Sequence, residues 1–381
     1  MAAVPPIFAD LFALAVEHAA SDLHLKVGRP ALVRVAGQLV ETEMSPFTAA
    51  QLADFIEATV PAAFRARWLA DHQVDYSLDL GASGQGRYRV NAYIQRGQPA
   101  LALRLVKSNP PDFAALNHDP KSLGALLAAD QGLVLVCGPT GSGKTTTLYA
   151  ALRERSTPGV KVVTVEDPVE YRLDGIVQLP VNARAGFGFP NALRAILRHD
   201  PDVILFGEMR DAETADIAVQ AALTGHLVLS TVHTTDATAA LARLQEMGVP
   251  PYLLSATLQG VLAQRLVRRV CESCGTWRPL TEHERVRVAA SGAMVTQLRE
   301  GTGCALCAGT GFRGRVAIAE LLVLDDALRS AFTQGASLVE LRAMVRARGV
   351  RSLREDGWRC VAAGETTIDE VVRMVSEDDG A

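Results

Sequence analysis

The sequence predicts an α/β fold: a parallel sheet covered on both faces by helices, preceded by a small α+β domain and followed by a cysteine-bearing element and a helical tail. Three observations carry this expectation. After residue 123, short and almost wholly apolar runs alternate with helical stretches, the pattern of strands buried on both faces. A glycine-rich loop lies between one such run and the helical stretch that follows it. The first hundred residues behave differently, mixing short alternating segments with helical ones.

The chain has 381 residues, enough for two or three domains with their own cores. The pattern divides it into an α+β domain at 1–108, a linker at 109–118, the parallel-sheet domain at 119–268, a cysteine element at 269–318 and a helical region at 319–381. Near the amino end, the apolar stretch 7–20 is interrupted by Asp10, Glu17 and His18, and no basic region precedes it. Neither a membrane span nor a signal peptide is expected there. Segments 22–28 and 32–41 read as two strands joined by the turn Gly28-Arg29-Pro30. Leu52, Phe55 and Ile56 give 48–59 one apolar helical face. Strand-like runs follow at 74–80, 87–95 and 100–106, and Asn109-Pro110-Pro111-Asp112 opens the linker. In the next domain the strands are expected at 133–137, 161–166, 203–206 and 227–232, and the helices at 144–155, 191–198, 212–223 and 237–246. Sites in such sheets gather at the carboxyl ends of the strands. An acidic Glu377-Asp378-Asp379 closes the chain.

Composition narrows the function classes. Hydrophobic residues at 49% and charged residues at 21% exclude a disordered chain. A net charge of -4 argues against nucleic acid as the specific partner, since gripping a phosphate backbone needs a surplus of Lys and Arg. No segment reaches the roughly 18 uninterrupted apolar residues of a membrane helix. The expectation is a cytoplasmic protein whose membrane contact is peripheral.

The chemistry begins after the strand at 133–137. Gly138-Pro139-Thr140-Gly141-Ser142-Gly143-Lys144-Thr145 has the spacing G-x-x-x-x-G-K-[ST] between a strand and a helix. The glycines let backbone N–H groups turn toward phosphate oxygens, and the next helix offers its positive amino end. This loop, with Thr146 behind it, is expected to bind ATP. Lys144 would neutralise the β- and γ-phosphates, and the Thr145 hydroxyl would join the shell of Mg²⁺. Two later strands end in acids, Glu166-Asp167-Pro168 and Gly207-Glu208. Such an acid holds the metal through water or polarises the attacking water, and Glu166 suits the second role; the alternative is a strand-end acid facing solvent. His226 and His233 flank the strand between them. His233, at the carboxyl end, can meet the γ-phosphate; for His226, at the amino end, contact is harder to argue.

Together these blocks resemble the nucleotide-site boxes of the type II secretion and type IV pilus assembly ATPases, the general secretion pathway protein E-like branch of the secretion ATPases. The strings that carry the resemblance are GPTGSGKTTTLYA, TVEDPVEY, LRHDPDVILFGEMRDAETA and TGHLVLSTVHTTDA, and the likeness runs from about residue 20 to about residue 375. It implies a RecA-like ATPase domain behind a PAS-like α+β domain. Lys144 and Thr145 are then the Walker A pair, Glu166 the acidic box, Glu208 the Walker B glutamate, and His226 and His233 the histidine box. Arg89 and Arg104 match arginines of the amino-terminal domain that reach the nucleotide, where a planar guanidinium suits γ-phosphate charge.

The resemblance further implies a homohexameric ring and an inner-membrane platform protein as partner. Ser21-Asp22-Leu23-His24-Leu25 and Gly86-Arg87-Tyr88-Arg89-Val90-Asn91-Ala92-Tyr93 look more like the pilus retraction ATPases. The sequence begins directly at this domain, so the extra amino-terminal docking module of many assembly ATPases is not expected. A retraction or accessory motor, or a nucleic-acid translocase, are the rival readings.

Cys271-x-x-Cys274 and Cys304-x-x-Cys307 can each present two thiolates from one turn and together close a tetrahedral, structural Zn²⁺ site. Redox dithiols or ordinary buried cysteines are the alternatives. The metal would staple the polar insertion 272–300, which has little core of its own. Assembly ATPases carry such a tetracysteine element and retraction ATPases lack it, so the carboxyl-terminal half points to assembly.

Overall fold

The computed structural model describes residues 5–35, 37–80, 86–106, 110–181 and 187–375; Asn109 and the acidic run at 377–379 lie outside them. The chain opens with helix α1 (Pro6–Glu17), whose Phe8, Leu11, Phe12 and Ala15 are completely buried. The apolar opening stretch is therefore a core helix. It packs with α2 (Ala49–Thr59) on a six-stranded antiparallel sheet made of β1 (Asp22–Lys26), β2 (Leu32–Val35), β3 (Gln38–Glu41), β4 (Gln73–Asp79), β5 (Arg87–Gln95) and β6 (Gln98–Val106), in the order β3-β2-β1-β6-β5-β4. Strict alternation of burial along β4 leaves one face for solvent and one for the helices. There the Phe8 and Phe55 ring centroids lie 4.3 Å apart, and Phe12 and Tyr88 4.7 Å.

Two expectations are corrected here. The strand expected at 32–41 is a hairpin, with Gly37 at φ 86 in the turn between β2 and β3. A further helix, α3 (Ala62–Asp71), went unread because it buries no residue fully and so presents no apolar stripe. By contrast α2 starts where expected, on a capping box between Thr48 and Gln51.

A seven-stranded sheet forms the second layer system. Its strands are β7 (Gly132–Cys137), β8 (Val162–Glu166), β9 (Val177–Pro180), β10 (Val203–Phe206), β11 (Leu227–Val232), β12 (Leu258–Val270) and β15 (Phe312–Val323), ordered β15-β12-β7-β11-β10-β8-β9. Every pairing is parallel except that of β12 with β15. Period-two alternation splits the strands between two cores. Leu133, Leu135, Val165, Ile204 and Val228 face α6 (Phe189–Ile196), α7 (Ala212–Leu223), α8 (Ala237–Glu246) and α9 (Pro251–Thr257). Val134, Val136, Leu205 and Leu229 face α4 (Pro120–Leu127) and α5 (Lys144–Arg155). Burying each such Val or Leu contributes roughly 1.5–3 kcal/mol, so both faces hold the sheet.

Residues 312–318, expected within the cysteine element, are the first half of β15 and pair with β12 as far as Val270↔Phe312. The element is thus an insertion whose two ends are held side by side. It contains β13 (Gly275–Pro279), α10 (Glu282–Ser291) and β14 (Gln297–Gly301). Helices α11 (Asp326–Thr333), α12 (Leu338–Ala347), α13 (Leu353–Ala362) and α14 (Ile368–Met374) complete the chain. Val288, Val295 and Leu298 of the insertion share a small core with Trp358, Val361, Ile368 and Val371 of α13 and α14, so it is less devoid of core than its composition implied.

The stretch 110–118, expected as a linker, is docked on the second sheet's layers. Arg153 donates to the Pro110 carbonyl at 3.0 Å, Asn117 to the Ala317 carbonyl at 2.9 Å, and Phe113 and His118 are buried. Among the described residues no helix is long and apolar enough to cross a membrane.

Candidate functional site

Parallel pairing aligns the carboxyl ends of four strands. Cys137 of β7 sits opposite Val232 of β11, and Phe206 of β10 opposite Val165 of β8. The loops that leave them, carrying Gly138, His233, Glu208 and Glu166, therefore emerge at one edge. Gly138 (φ 145), Gly141 (φ 84) and Gly143 (φ 89) all occupy the left-handed half of backbone space, which β-carbons disfavour. At Gly138 a Cβ would lie 2.5 Å from the Gln264 carbonyl oxygen, so the loop closes on β12 only with glycine there. Gly143 is the N-cap of α5. The helix therefore starts at Lys144, and the free N–H groups of Lys144, Thr145 and Thr146 lie in its first turn, where an anion is stabilised.

Lys144 is nearly buried and its ammonium donates to the carbonyls of Gly138 (2.7 Å) and Pro139 (3.0 Å), bridging the loop. Burial draws its pKa below the ordinary lysine value, with the nearby Glu208 carboxylate partly opposing that. Thr145 is exposed beside it. Pro139 and Thr140 form the outer turn, and Ser142 is buried behind it.

Glu208 faces this loop. One carboxylate oxygen accepts from Arg210 and the other lies 3.1 Å from His233 Nε2. Burial works against its charge, but the Arg210 and His233 contacts outweigh it and hold the carboxyl below the usual range. It is an ionised acid, 18% exposed, aimed by two partners. Glu166 is different: 3% exposed, it accepts from Tyr149, Thr164 and Gln178. Three donors thus hold Glu166, which leaves Glu208 the more accessible of the two acids. His226 stands just before the amino end of β11, as the sequence implied. At ~3.3 Å per residue, β11 places it roughly 23 Å from His233, at the opposite edge of the sheet. There its Nδ1 meets the Ala221 carbonyl at 2.9 Å, and it takes no part in the phosphate loop of its own chain.

Arg89 and Arg104 are direct cross-strand partners on β5 and β6. Both act electrostatically on Glu170, in the loop after β8: burial pushes that carboxyl up, and the two guanidiniums pull it back. The arginine pair is thus within electrostatic reach of the acidic box. Arg104 Nε is held at 2.8 Å from Asp22 Oδ1. Burial raises the Asp22 carboxyl, yet Arg104, Ser21 and Arg34 outweigh it and leave it below its ordinary 3.8. Because the folded value is the lower one, this stabilisation is fully present above 3.8 and is lost as pH falls through the folded value. Asp22→Asn should therefore cost no more than about 1 kcal/mol at pH 7, Arg104 being largely exposed, and less at pH 3. Melting curves at both pH values check this; an equal gap at both would refute it. Asp22, Arg210 and Tyr149 were not picked out from sequence. Arg210 had a legible signal, standing two residues after Glu208; the others had none before the strands were paired.

In the cysteine element, the thiols of Cys271 and Cys304 are 3.9 Å apart, those of Cys274 and Cys307 3.8 Å, and those of Cys304 and Cys307 3.7 Å. All four lie within 4.8 Å of one another. A disulfide needs about 2.05 Å. A tetrahedron of Zn–S bonds of about 2.3 Å has edges of roughly 3.8 Å, which these separations match. Backbone N–H groups of Cys304 and Gly311 point at Cys307 Sγ (3.2 and 3.3 Å); burial opposes ionisation of this thiol, but these donors pull its pKa down. The donor set fits a structural Zn²⁺.

Comparison with known proteins accords with this geometry. Residues 2–373 match the family described as Type II/IV secretion system protein. The chain is 42% identical over 375 residues to type II secretion system protein E of Dickeya dadantii, covering 96% of this chain and 74% of that one. It is 45% identical over 314 residues to type II secretion system protein HxcR of Pseudomonas aeruginosa, covering 81% and 61%. With the type IV pilus assembly ATPase PilB of Thermus thermophilus it shares 47% over 289 residues, 74% of this chain but 32% of that one. The chain thus spans about three-fifths to three-quarters of these type II relatives. Among solved structures, the pilus retraction motor PilT with bound ADP superposes with a TM-score of 0.72 at 29% identity, covering 96% and 95% of the two chains. The ATPase DotB of Legionella pneumophila gives 0.74 at 25%, covering 96% and 94%.

Proposed function

Because the chain belongs to the Type II/IV secretion system protein family, we propose that it is the motor that powers assembly of a type IV pilus or type II pseudopilus. ATP hydrolysis is the activity that family membership brings. The observation that carries the reading is the meeting of the phosphate loop and the Glu208–His233 pair at the carboxyl ends of the parallel strands, with Arg89 and Arg104 within electrostatic reach of Glu170. The loop N–H groups and Lys144 hold the phosphates, and Thr145 offers its hydroxyl to Mg²⁺, which when bound supplies charge neutralisation at the β- and γ-oxygens. Glu208 orients the attacking water, steadied by Arg210 and His233. Arg89 and Arg104, presented by the other sheet, complete the charge around the γ-phosphate when the two layer systems approach, and that coupling turns hydrolysis into domain motion.

The protein works as a cytoplasmic homohexameric ring, docked peripherally on an inner-membrane platform protein. A retraction motor is the second reading, favoured by the likeness to PilT across nearly the whole of both chains. The tetracysteine cluster and the higher identity to secretion and assembly proteins favour assembly. Deleting the gene, then imaging surface pili and assaying secreted proteins, separates them. Loss of pili or of secretion supports assembly; hyperpiliation indicates retraction; no change in either overturns both.

A further inference from the structure

Beneath the phosphate loop lies a buried polar cluster that the chemistry above does not use. Gln264, in the middle of β12, is completely buried. Its Nε2 donates to the Ser142 carbonyl at 2.7 Å. Its Oε1 accepts from Thr147 Oγ1 at 2.7 Å and faces His118 Nε2 at 3.1 Å. The Ser142 carbonyl fixes the amide, because turned over Gln264 would set its oxygen against the Ser142 oxygen. The amide oxygen in turn calls for hydrogen on His118 Nε2, which also lies 3.3 Å from Thr147 Oγ1, and among the described residues Nδ1 is a buried acceptor without a partner. Desolvation pushes His118 down to about 4, so it is neutral at working pH and serves only as a donor.

The consequence follows from peptide geometry. In a trans peptide the carbonyl and the next N–H point in opposite directions. Holding the Ser142 carbonyl inward on Gln264 therefore aims the Gly143 N–H outward, to the side where the loop meets an anion. Close packing adds to this, since a Cβ on Gly143 would lie 2.7 Å from Gln264 Nε2. His118 sits at the end of the docked stretch 110–118, next to Asn117, which is pinned to the Ala317 carbonyl and lies 3.3 Å from Cys360 Sγ. The same amide thus touches the loop on one side and the segment joining the two sheets on the other.

We propose that Gln264 is a positioning residue for the phosphate loop, and that through His118 it links the loop's geometry to the stretch 110–118 between the two sheets. The proposal rests on nucleotide binding at this loop, so binding of a fluorescent ADP analogue to the wild-type full chain is measured first; absence of binding there would remove that reading rather than this one. In Gln264→Leu, which keeps the volume but loses all three contacts, nucleotide affinity should fall about tenfold, the effect of one or two buried hydrogen bonds. The KM for ATP should rise in parallel, with kcat changed less. His118→Leu should show a smaller loss of the same kind, and His118→Gln, whose Nε2 can replace the imidazole donor, should restore wild-type affinity.

A merely structural cluster would lower the melting temperature of both leucine variants while leaving affinity and KM at wild-type values, and His118→Gln would then differ from His118→Leu only in stability. That result overturns the proposal. If Gln264→Leu does not fold, the His118 pair decides: rescue of affinity by Gln supports the link, and equal affinity in Leu and Gln refutes it.

Discussion

Glu208→Gln should lower ATP turnover by roughly 10²–10⁴-fold, the range expected when a general base is removed, while ATP binding stays within a few-fold of wild type. The substitution keeps the shape, and the Gln oxygen can still accept from Arg210. What disappears is the charge that faces Lys144 and the basicity toward water. Steady-state hydrolysis alongside equilibrium nucleotide binding checks it. Lys144→Ala is the complementary control and should lose binding itself, because the ammonium that bridges the loop is gone. Glu166→Gln should act differently: its carboxylate is buried among three donors, and an amide there sets N–H against hydroxyls already committed as donors, so melting temperature should fall first. If Glu166→Gln abolished turnover at unchanged stability while Glu208→Gln retained it, the assignment of the water to Glu208 would be wrong.

The second large effect is expected at the cysteines. Purified without chelator, the protein should carry one zinc per chain by metal analysis, and Cys304→Ser or prolonged chelation should remove it. Structural zinc sites have apparent binding free energies on the order of 10 kcal/mol, far more than the small core of Val288, Val295 and Leu298 against α13 and α14 can replace. Limited proteolysis should then cut within 275–301 while ADP binding persists, because the phosphate loop sits on β7, and the ends of the insertion remain paired through β12 and β15. A metal-free preparation with wild-type protease resistance would refute the site. Loss of ADP binding along with zinc would show that the element props up the whole domain.

How legible each part was depended on how local its signal is. The phosphate loop, the acids after β8 and β10 and the two Cys-x-x-Cys pairs are contiguous strings, and each has a physical reason for its spacing within a few residues. The parallel strands β7, β8, β10 and β11 were legible because burial on both faces makes them apolar: every residue of each is buried. The strands β12 and β15 were not, since arginines and glutamine interrupt them and their pairing spans a long stretch of sequence. The helix α3 was missed for want of a buried face. Glu166 and Glu208 look equivalent as strand-end acids, yet one is sealed under Tyr149 and the other left partly exposed.

Sequence by itself determined that a loop with phosphate-binding spacing follows a buried strand, and that four thiols are spaced for one metal. Those are statements about neighbours along the chain, where glycine conformation, helix polarity and thiolate chemistry act over a few residues. Only the tertiary structure decided which acid faces Lys144, that Arg104 is tethered by Asp22, and that Gln264 and His118 hold the loop from beneath. The reason is physical: each depends on which strands pair and in which register, and that is set by burial of the whole sheet rather than by any segment of it.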